Sequence, residues 1–218
     1  MTLSTPNSRR WWIVLALCLS TIINYINRQT FSVLAPVLSK EFHFSHGDLS
    51  KIFGAFQFSY ACTWLVGGVI LDLVGTRLGL SLAVVWWSIV SMVTSFANSV
   101  ASFATLRFLL GIGEGFNWPG ASKAVAEWFP SRERGLAVAI FDSGSRLGGA
   151  LAAFAIPWIT FHLGWRFAFT ASGLLGIAWL VVWLAVYPRT PRVVSCEDRS
   201  QGTLQRLASL LPLLKRSE

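Results

Sequence analysis

Charge is what this sequence has least of. Only 13% of its 218 residues are charged, while 54% are hydrophobic and the mean hydropathy is +0.57. A soluble domain carries roughly 25% charged residues, so an ordinary soluble globule is excluded. Acid is scarcer than base, with 10 Asp and Glu against 18 Lys and Arg and a net charge of +8. Cysteine is scarce as well. Cys18, Cys62 and Cys196 match no metal-ligand spacing, and two of them fall in apolar runs. They read as reduced packing residues, and no metal or cofactor is expected. The three histidines, His43, His46 and His162, lie in or near breaks between apolar runs. There is no HExxH, no Ser/His arrangement and no Gly-rich phosphate loop. These absences argue against an intramembrane hydrolase or an ATP-driven pump, and the chain is read as no enzyme.

Long apolar runs are what the sequence does have. A membrane-crossing helix needs about 20 apolar residues. Six stretches qualify, at 11–35, 51–71, 79–98, 102–127, 136–160 and 166–187. The expected fold is therefore an all-α membrane protein of six transmembrane helices. Residues 1–10 are expected to be a cytoplasmic N-terminus, 11–187 the bundle, and 188–218 a basic cytoplasmic tail or linker. The leucines of "TLQRLASLLPLLKRSE" suggest an interfacial helix within that tail. The first run, from Trp11, has no small-residue cleavage site and is expected to stay as an anchor. One set of span ends carries Arg9, Arg10, Arg77, Arg132, Arg134, Arg189, Arg192, Arg199, Arg206, Lys215 and Arg216, the other only Lys40, Lys51 and Arg166. The positive-inside rule then puts both termini in the cytoplasm. It also accounts for the net charge through the lipid bilayer, without nucleic acid.

Ionisable side chains inside a span cost at least ~2.5–3.5 kcal/mol each and mark candidate functional sites. Here they are Arg28, Arg107, Glu114, Lys123, Asp142 and Arg146. Arg107 and Glu114 stand two helical turns apart on one face, with Gly111 between them and Pro119 just beyond. Two arginines in a cavity make an anion site, because a guanidinium grips a carboxylate through two parallel hydrogen bonds. A glutamate beside them can load and release a proton. The plainer alternative is that Arg107 and Glu114 pair to hold helices together. Asp142 and Arg146, four residues apart, can likewise pair along one helix face or serve a substrate directly. Lys123 and Glu127 lie near a helix end, where long side chains reach the interface. Tyr25, Tyr60, Asn117 and Trp118 are candidates for contacts to a sugar. "NYINRQTFSVLAP" and "RFLLGIGEGFNWPG" each combine polar residues, an arginine and a proline, Pro36 and Pro119, about 80 residues apart. Such paired interruptions point to a transporter built from repeats.

"GGVILDLVGTR" resembles the loop signature of the major facilitator superfamily, matched at Gly68, Asp72, Gly75 and Arg77, with Leu73 and Thr76 where the family usually has basic residues. "NYINRQTFSVLAPVL", "RFLLGIGEGFNWPGASKAVAEWFPSRERGLAVAIFDSGS" and "GWRFAF" are similar to the anion:cation symporter branch, and within it to bacterial hexuronate transporters, proton symporters for glucuronate and galacturonate. The resemblance runs from about residue 11 to 188. It implies six helices arranged as two inverted three-helix repeats, the N-terminal half of a major facilitator fold. It also implies that Arg28 and Arg107 bind the substrate carboxylate, that Tyr25 and Tyr60 contact the sugar, that Glu114 couples a proton, and that Asp72 latches one conformation. Three departures accompany it. Asn27 stands where the family motif has an acid, so coupling is expected to rest on Glu114, with Asp142 as a possible replacement acid. Asp142 and Arg146 are new charges in "FDSGSR". Only one half of a twelve-helix transporter is present, so a fragment or truncated product is expected, or a half that pairs with a second six-helix half in cis or in trans. A non-transporting remnant or membrane subunit is the alternative.

Overall fold

The computed structural model describes residues 8–188. The tail from 189, with Cys196 and the basic residues counted above, lies outside the described residues. Seven helical segments follow one another: α1 (Ser8–Phe42), α2 (His46–Val74), α3 (Thr76–Thr94), α4 (Val100–Glu114), α5 (Asn117–Trp128), α6 (Arg134–Leu163) and α7 (Trp165–Val186). Four of them, α1, α2, α3 and α7, are long and apolar enough to cross a membrane. Helix α6 has 30 residues and carries Asp142 and Arg146 among its apolar ones. Helices α4 and α5 share the span expected at 102–127, which is therefore broken rather than continuous. Proline explains the break. Pro119 has no N–H, and its ring crowds the carbonyl four residues earlier, at Gly115. The helix opens at Gly115–Phe116, and resumes with Gly120 N–H donating to the Phe116 carbonyl at 3.0 Å. Pro36 has no such effect: α1 runs through it unbroken, so the two prolines are not equivalent breaks.

The two repeats show in the packing. The principal neighbours are α1 with α6, α2 with α4, and α3 with α7, followed by α1 with α7 and α3 with α4. Exchanging the first three spans with the last three maps this set of pairs onto itself, as an inverted repeat requires. The turns repeat too. A single glycine in the left-handed region, Gly75 (φ 86°) or Gly164 (φ 85°), joins α2 to α3 and α6 to α7. Each is followed two residues later by an arginine, Arg77 or Arg166. Indole hydrogen bonds tie the same equivalent pairs, from Trp86 to the Leu109 carbonyl across α3–α4 and from Trp179 to the Ala16 carbonyl across α7–α1.

Close backbone approach needs small residues, because lipid supplies no hydrophobic drive between helices. A Cβ on Gly144 would stand 2.6 Å from the Cys18 carbonyl, and one on Gly173 would stand 2.6 Å from the Ser88 carbonyl. Gly148 meets Ile22 and Tyr25, and Gly111 meets Ser59 and Phe56. Each main helix pair thus has glycine at its contact. Outward faces carry Leu65, Phe96, Phe154 and Phe161, all exposed on the described residues, as expected of a surface that meets hydrocarbon.

Overpacking a tight contact costs typically ~1–3 kcal/mol. Gly148→Leu is expected to lower the melting temperature in detergent by several degrees. Gly135→Ala, which meets nothing within 4 Å, is expected to leave it unchanged. Scanning fluorimetry on both variants checks this, and an unshifted Gly148→Leu would mean that α1 and α6 do not meet there.

Candidate functional site

Three of the intramembrane charges, Arg28, Arg107 and Glu114, gather where side chains of α1, α2 and α4 meet. Arg28 descends from α1 with its Nε 3.5 Å from Oε2 of Glu114 on α4. Its guanidinium lies over Tyr60 at 4.3 Å, Tyr25 at 4.9 Å and Phe56 at 5.2 Å. Arg107, on α4, lies over Phe31 at 4.4 Å and donates to the Arg28 backbone carbonyl at 3.4 and 3.5 Å. A guanidinium over aromatic rings is held by their quadrupoles while its N–H groups stay available in the ring-free directions. Glu114 is fully buried, and neither of its carboxylate oxygens meets a hydrogen-bond donor in good geometry. Nε and Nη2 of Arg28 also lack an acceptor. The pairing therefore differs from the sequence alternative: the carboxylate of Glu114 sits by Arg28, and no ion pair within 4.0 Å joins it to Arg107 among the described residues. With Glu114 ionised, two guanidiniums face one carboxylate, and the cluster keeps an uncompensated positive charge.

The remaining candidates divide. Tyr25 and Tyr60 belong to the cluster through their rings. Asn117, at the start of α5, is buried and fully engaged: it accepts from Ser20 at 2.6 Å and donates to Thr21 at 3.3 Å. It binds α5 to α1 about two turns from Arg28. Trp118 is half-buried, its ring edge-on to Phe141 of α6 at 5.3 Å. Asn27 points away from Glu114 toward α3 and α7, where it accepts from Ser91 at 2.8 Å, beside Ser172. Asp142 is half-buried and Arg146 exposed, and no ion pair within 4.0 Å joins them among the described residues. The intrahelical pair considered from the sequence is thus not formed, although four-residue spacing permits it.

At the Arg9 end of the bundle lies a second polar group. Asp72 accepts from Lys123 Nζ at 2.6 Å, and the same ammonium reaches the Leu71 carbonyl at 2.7 Å. Lys123 ties α5 to the end of α2. Glu127 accepts from Thr76 at 2.6 Å and from Tyr187. Arg77 donates to the Leu184 carbonyl at 2.9 Å at the end of α7. Gly68 is exposed, with nothing within 4 Å of where its Cβ would be. Sequence reasoning missed Phe31, Phe56 and Lys123 as parts of these groups. For Phe56 a signal existed, since it stands one helical turn before Tyr60. For Lys123 the signal was its charge within a span, although not its partner; for Phe31 there was none, because its partner is on another helix.

Comparison with known proteins follows the same outline. The Major Facilitator Superfamily model matches residues 17–218. A galacturonate transporter from Dickeya chrysanthemi is 32% identical over 192 residues, covering 87% of this chain and 56% of that protein. A hexuronate transporter from Escherichia coli (strain K12) is 33% identical over 192 residues, 87% of this chain and 44% of that one. The chain thus spans about half the length of the curated relatives it matches. In structure, the inward-facing, unoccupied crystal structure of a bacterial homolog of the human lysosomal transporter Spinster superposes with a TM-score of 0.72 at 23% identity, over 87% of this chain and 45% of that one. Paired inverted repeats, a broken fourth span with a buried glutamate, and a family match along nearly the whole chain agree: the chain belongs to the Major Facilitator Superfamily.

Proposed function

We propose that this chain supplies the N-terminal half of a secondary transporter that carries a sugar acid, a hexuronate, together with a proton. The observation that carries the reading is the charge imbalance at the α1–α2–α4 junction, where Arg28 and Arg107 face Glu114 alone. Excess positive charge in a low-dielectric bundle attracts an anion, and free guanidinium N–H groups give a carboxylate a bidentate seat. The named activities of the galacturonate and hexuronate relatives support the same substrate class.

In this reading Arg28 and Arg107 clamp the carboxylate. Tyr25, Tyr60 and Trp118 contact the sugar ring, and Asn117 holds α5 against α1. Glu114 carries the proton: protonated, it releases Arg28 to the substrate; ionised, it takes Arg28 back. Asn27 cannot titrate and is occupied by Ser91. Asp142 is the second acid of the site, and a lower accumulation ratio in Asp142→Asn would support that role. Asp72, with Gly68, Gly75, Arg77 and its partner Lys123, forms a latch at the cytoplasmic end. A second six-helix half, in cis or in trans, closes the other wall, and rocking of the two halves gives alternating access. The location is the bacterial inner membrane with both termini cytoplasmic, supported by Arg9, Arg10, Arg77, Arg132 and Arg134 gathering at one end.

Two variants test the roles, each measured on the chain with the half that completes it. Arg107→Lys keeps the charge and loses the fork. It is expected to weaken glucuronate binding roughly tenfold to a hundredfold, the worth of a charge-assisted hydrogen bond at ~1.5–3 kcal/mol; unchanged affinity would remove the clamp. Glu114→Gln is expected to abolish uphill accumulation driven by a pH gradient while exchange of labelled for unlabelled substrate continues. Retained pH-driven accumulation would remove the proton role.

A further inference from the structure

A cavity of about 490 Å³ lies between the start of α3 and the end of α7. Val74, Leu78, Leu180 and Leu184 form its apolar walls, and Arg77 and Tyr187 line it as well. It shares no residue with the Arg28–Arg107–Glu114 group, to which α3 and α7 contribute no side chain. Val74, Leu78 and Leu184 are exposed at its edge. The cavity therefore belongs to the surface that meets lipid and not to the candidate substrate site.

Its two ends differ. Gly75 is the single-residue turn from α2 to α3, so Arg77 stands within one turn of the bundle's end, where the spans leave the hydrocarbon. Leu180 is seven residues before Tyr187 on α7, a rise of about 10 Å at ~1.5 Å per residue. The apolar walls thus run inward from the arginine. Nη2 of Arg77 donates to the Leu184 carbonyl at 2.9 Å, and its Nε is buried without an acceptor. No ion pair within 4.0 Å joins Arg77 to an acid among the described residues. Glu127 is near, but the hydroxyls of Thr76 and Tyr187 both donate to it. The repeat supplies a contrast. Arg166, two residues after Gly164 as Arg77 is after Gly75, pairs with Glu41 at 3.6 Å. One arginine of the two is neutralised within the described residues, and the other is not. Arg9, which donates to the Val186 carbonyl at 3.1 Å, adds positive charge at the same end.

We propose that this cavity binds one anionic phospholipid from the leaflet on the Arg9 side, with its phosphate on the Arg77 guanidinium and an acyl chain between α3 and α7. Basic residues at this level attract anionic headgroups. The cavity joins a positive group at the interface to apolar walls beneath it, and a phospholipid joins the matching parts in the same order. A free anion would use only the arginine. A zwitterionic lipid would bring a cation of its own toward it. Seated there, the lipid ties the α2–α3 turn to the end of α7. The inference is independent of the sugar-acid reading.

Native mass spectrometry of the full 218-residue chain, with phosphatidylglycerol and phosphatidylethanolamine added in equal amounts, tests it. One phosphatidylglycerol is expected to stay bound in preference to phosphatidylethanolamine. Arg77→Gln is expected to lower that preference about fivefold, the factor given by ~1 kcal/mol per basic residue at an anionic surface, and Arg77→Lys to keep part of it. Arg132→Gln removes the same charge from the same end but outside the cavity, and is expected to leave the preference unchanged. Equal losses in Arg77→Gln and Arg132→Gln, or no preference in the unmodified chain, overturn the site. Leu78→Trp narrows the cavity and keeps every charge, so it is expected to lower retention of phosphatidylglycerol; unchanged retention overturns the acyl seat. Inorganic phosphate at millimolar concentration is expected not to displace the lipid, and displacement would make Arg77 a site for free anions instead.

Discussion

Glu114 is the group around which the rest is arranged. A carboxylate with no water contact and no well-aligned donor is costly in an apolar bundle unless positive charge stands close by. Arg28 supplies that charge from α1, its long side chain spanning the gap to α4, since the two helix backbones are not close neighbours. Arg107 is locked to the backbone of Arg28 and adds a second charge that Glu114 cannot balance. Aromatic rings from α1 and α2 then take the place that water would hold around the guanidiniums. With Glu114 ionised, the arrangement keeps a net positive charge, and the proposed anion site rests on that imbalance.

Helix packing serves that cluster. The break at Gly115–Phe116 lets the fourth span present Glu114 on one side and Trp118 on another, while Asn117 ties the second segment back to α1. Glycines at the contacts of α1 with α6, and of α2 with α4, bring backbones close enough for short side chains to meet across them. Bulky side chains are left to the outer faces, where they meet lipid. The two ends of the bundle are held by different means: Trp165 and Arg166 reach Glu41 at one end, and Lys123, Asp72, Glu127 and Tyr187 join spans at the other. Charged groups at that end remain within reach of water and can part at low cost.

Much of the fold was legible in the sequence because spans are written in hydropathy. Residues facing hydrocarbon must be apolar over about 20 positions, and a chain cannot disguise that. The motif residues were legible for a related reason, since a charge inside such a run is conspicuous. The inverted repeat was implied by the motif resemblance, and the paired prolines were a poor sign of it. Pro36 and Pro119 looked equivalent, but the proline of α1 sits in an unbroken helix, and the true counterparts are Gly75 with Arg77 and Gly164 with Arg166. A single glycine turn is local and strict in its geometry, whereas the effect of a proline depends on how the freed carbonyl is satisfied by its neighbours.

By itself the sequence determined the number of spans, their apolar faces and which positions carry charge within them. These follow from local chemistry: the length of a helix that crosses hydrocarbon and the cost of a buried charge. Only the tertiary structure decided which charges meet. Glu114 joins Arg28 rather than Arg107 two turns away, Lys123 joins Asp72, Asn27 turns to Ser91, and Asp142 stays apart from Arg146. Partners on different helices are chosen by the angle and height at which those helices cross, and that is set by glycines and rings distant in the chain, so no spacing within a single span records it.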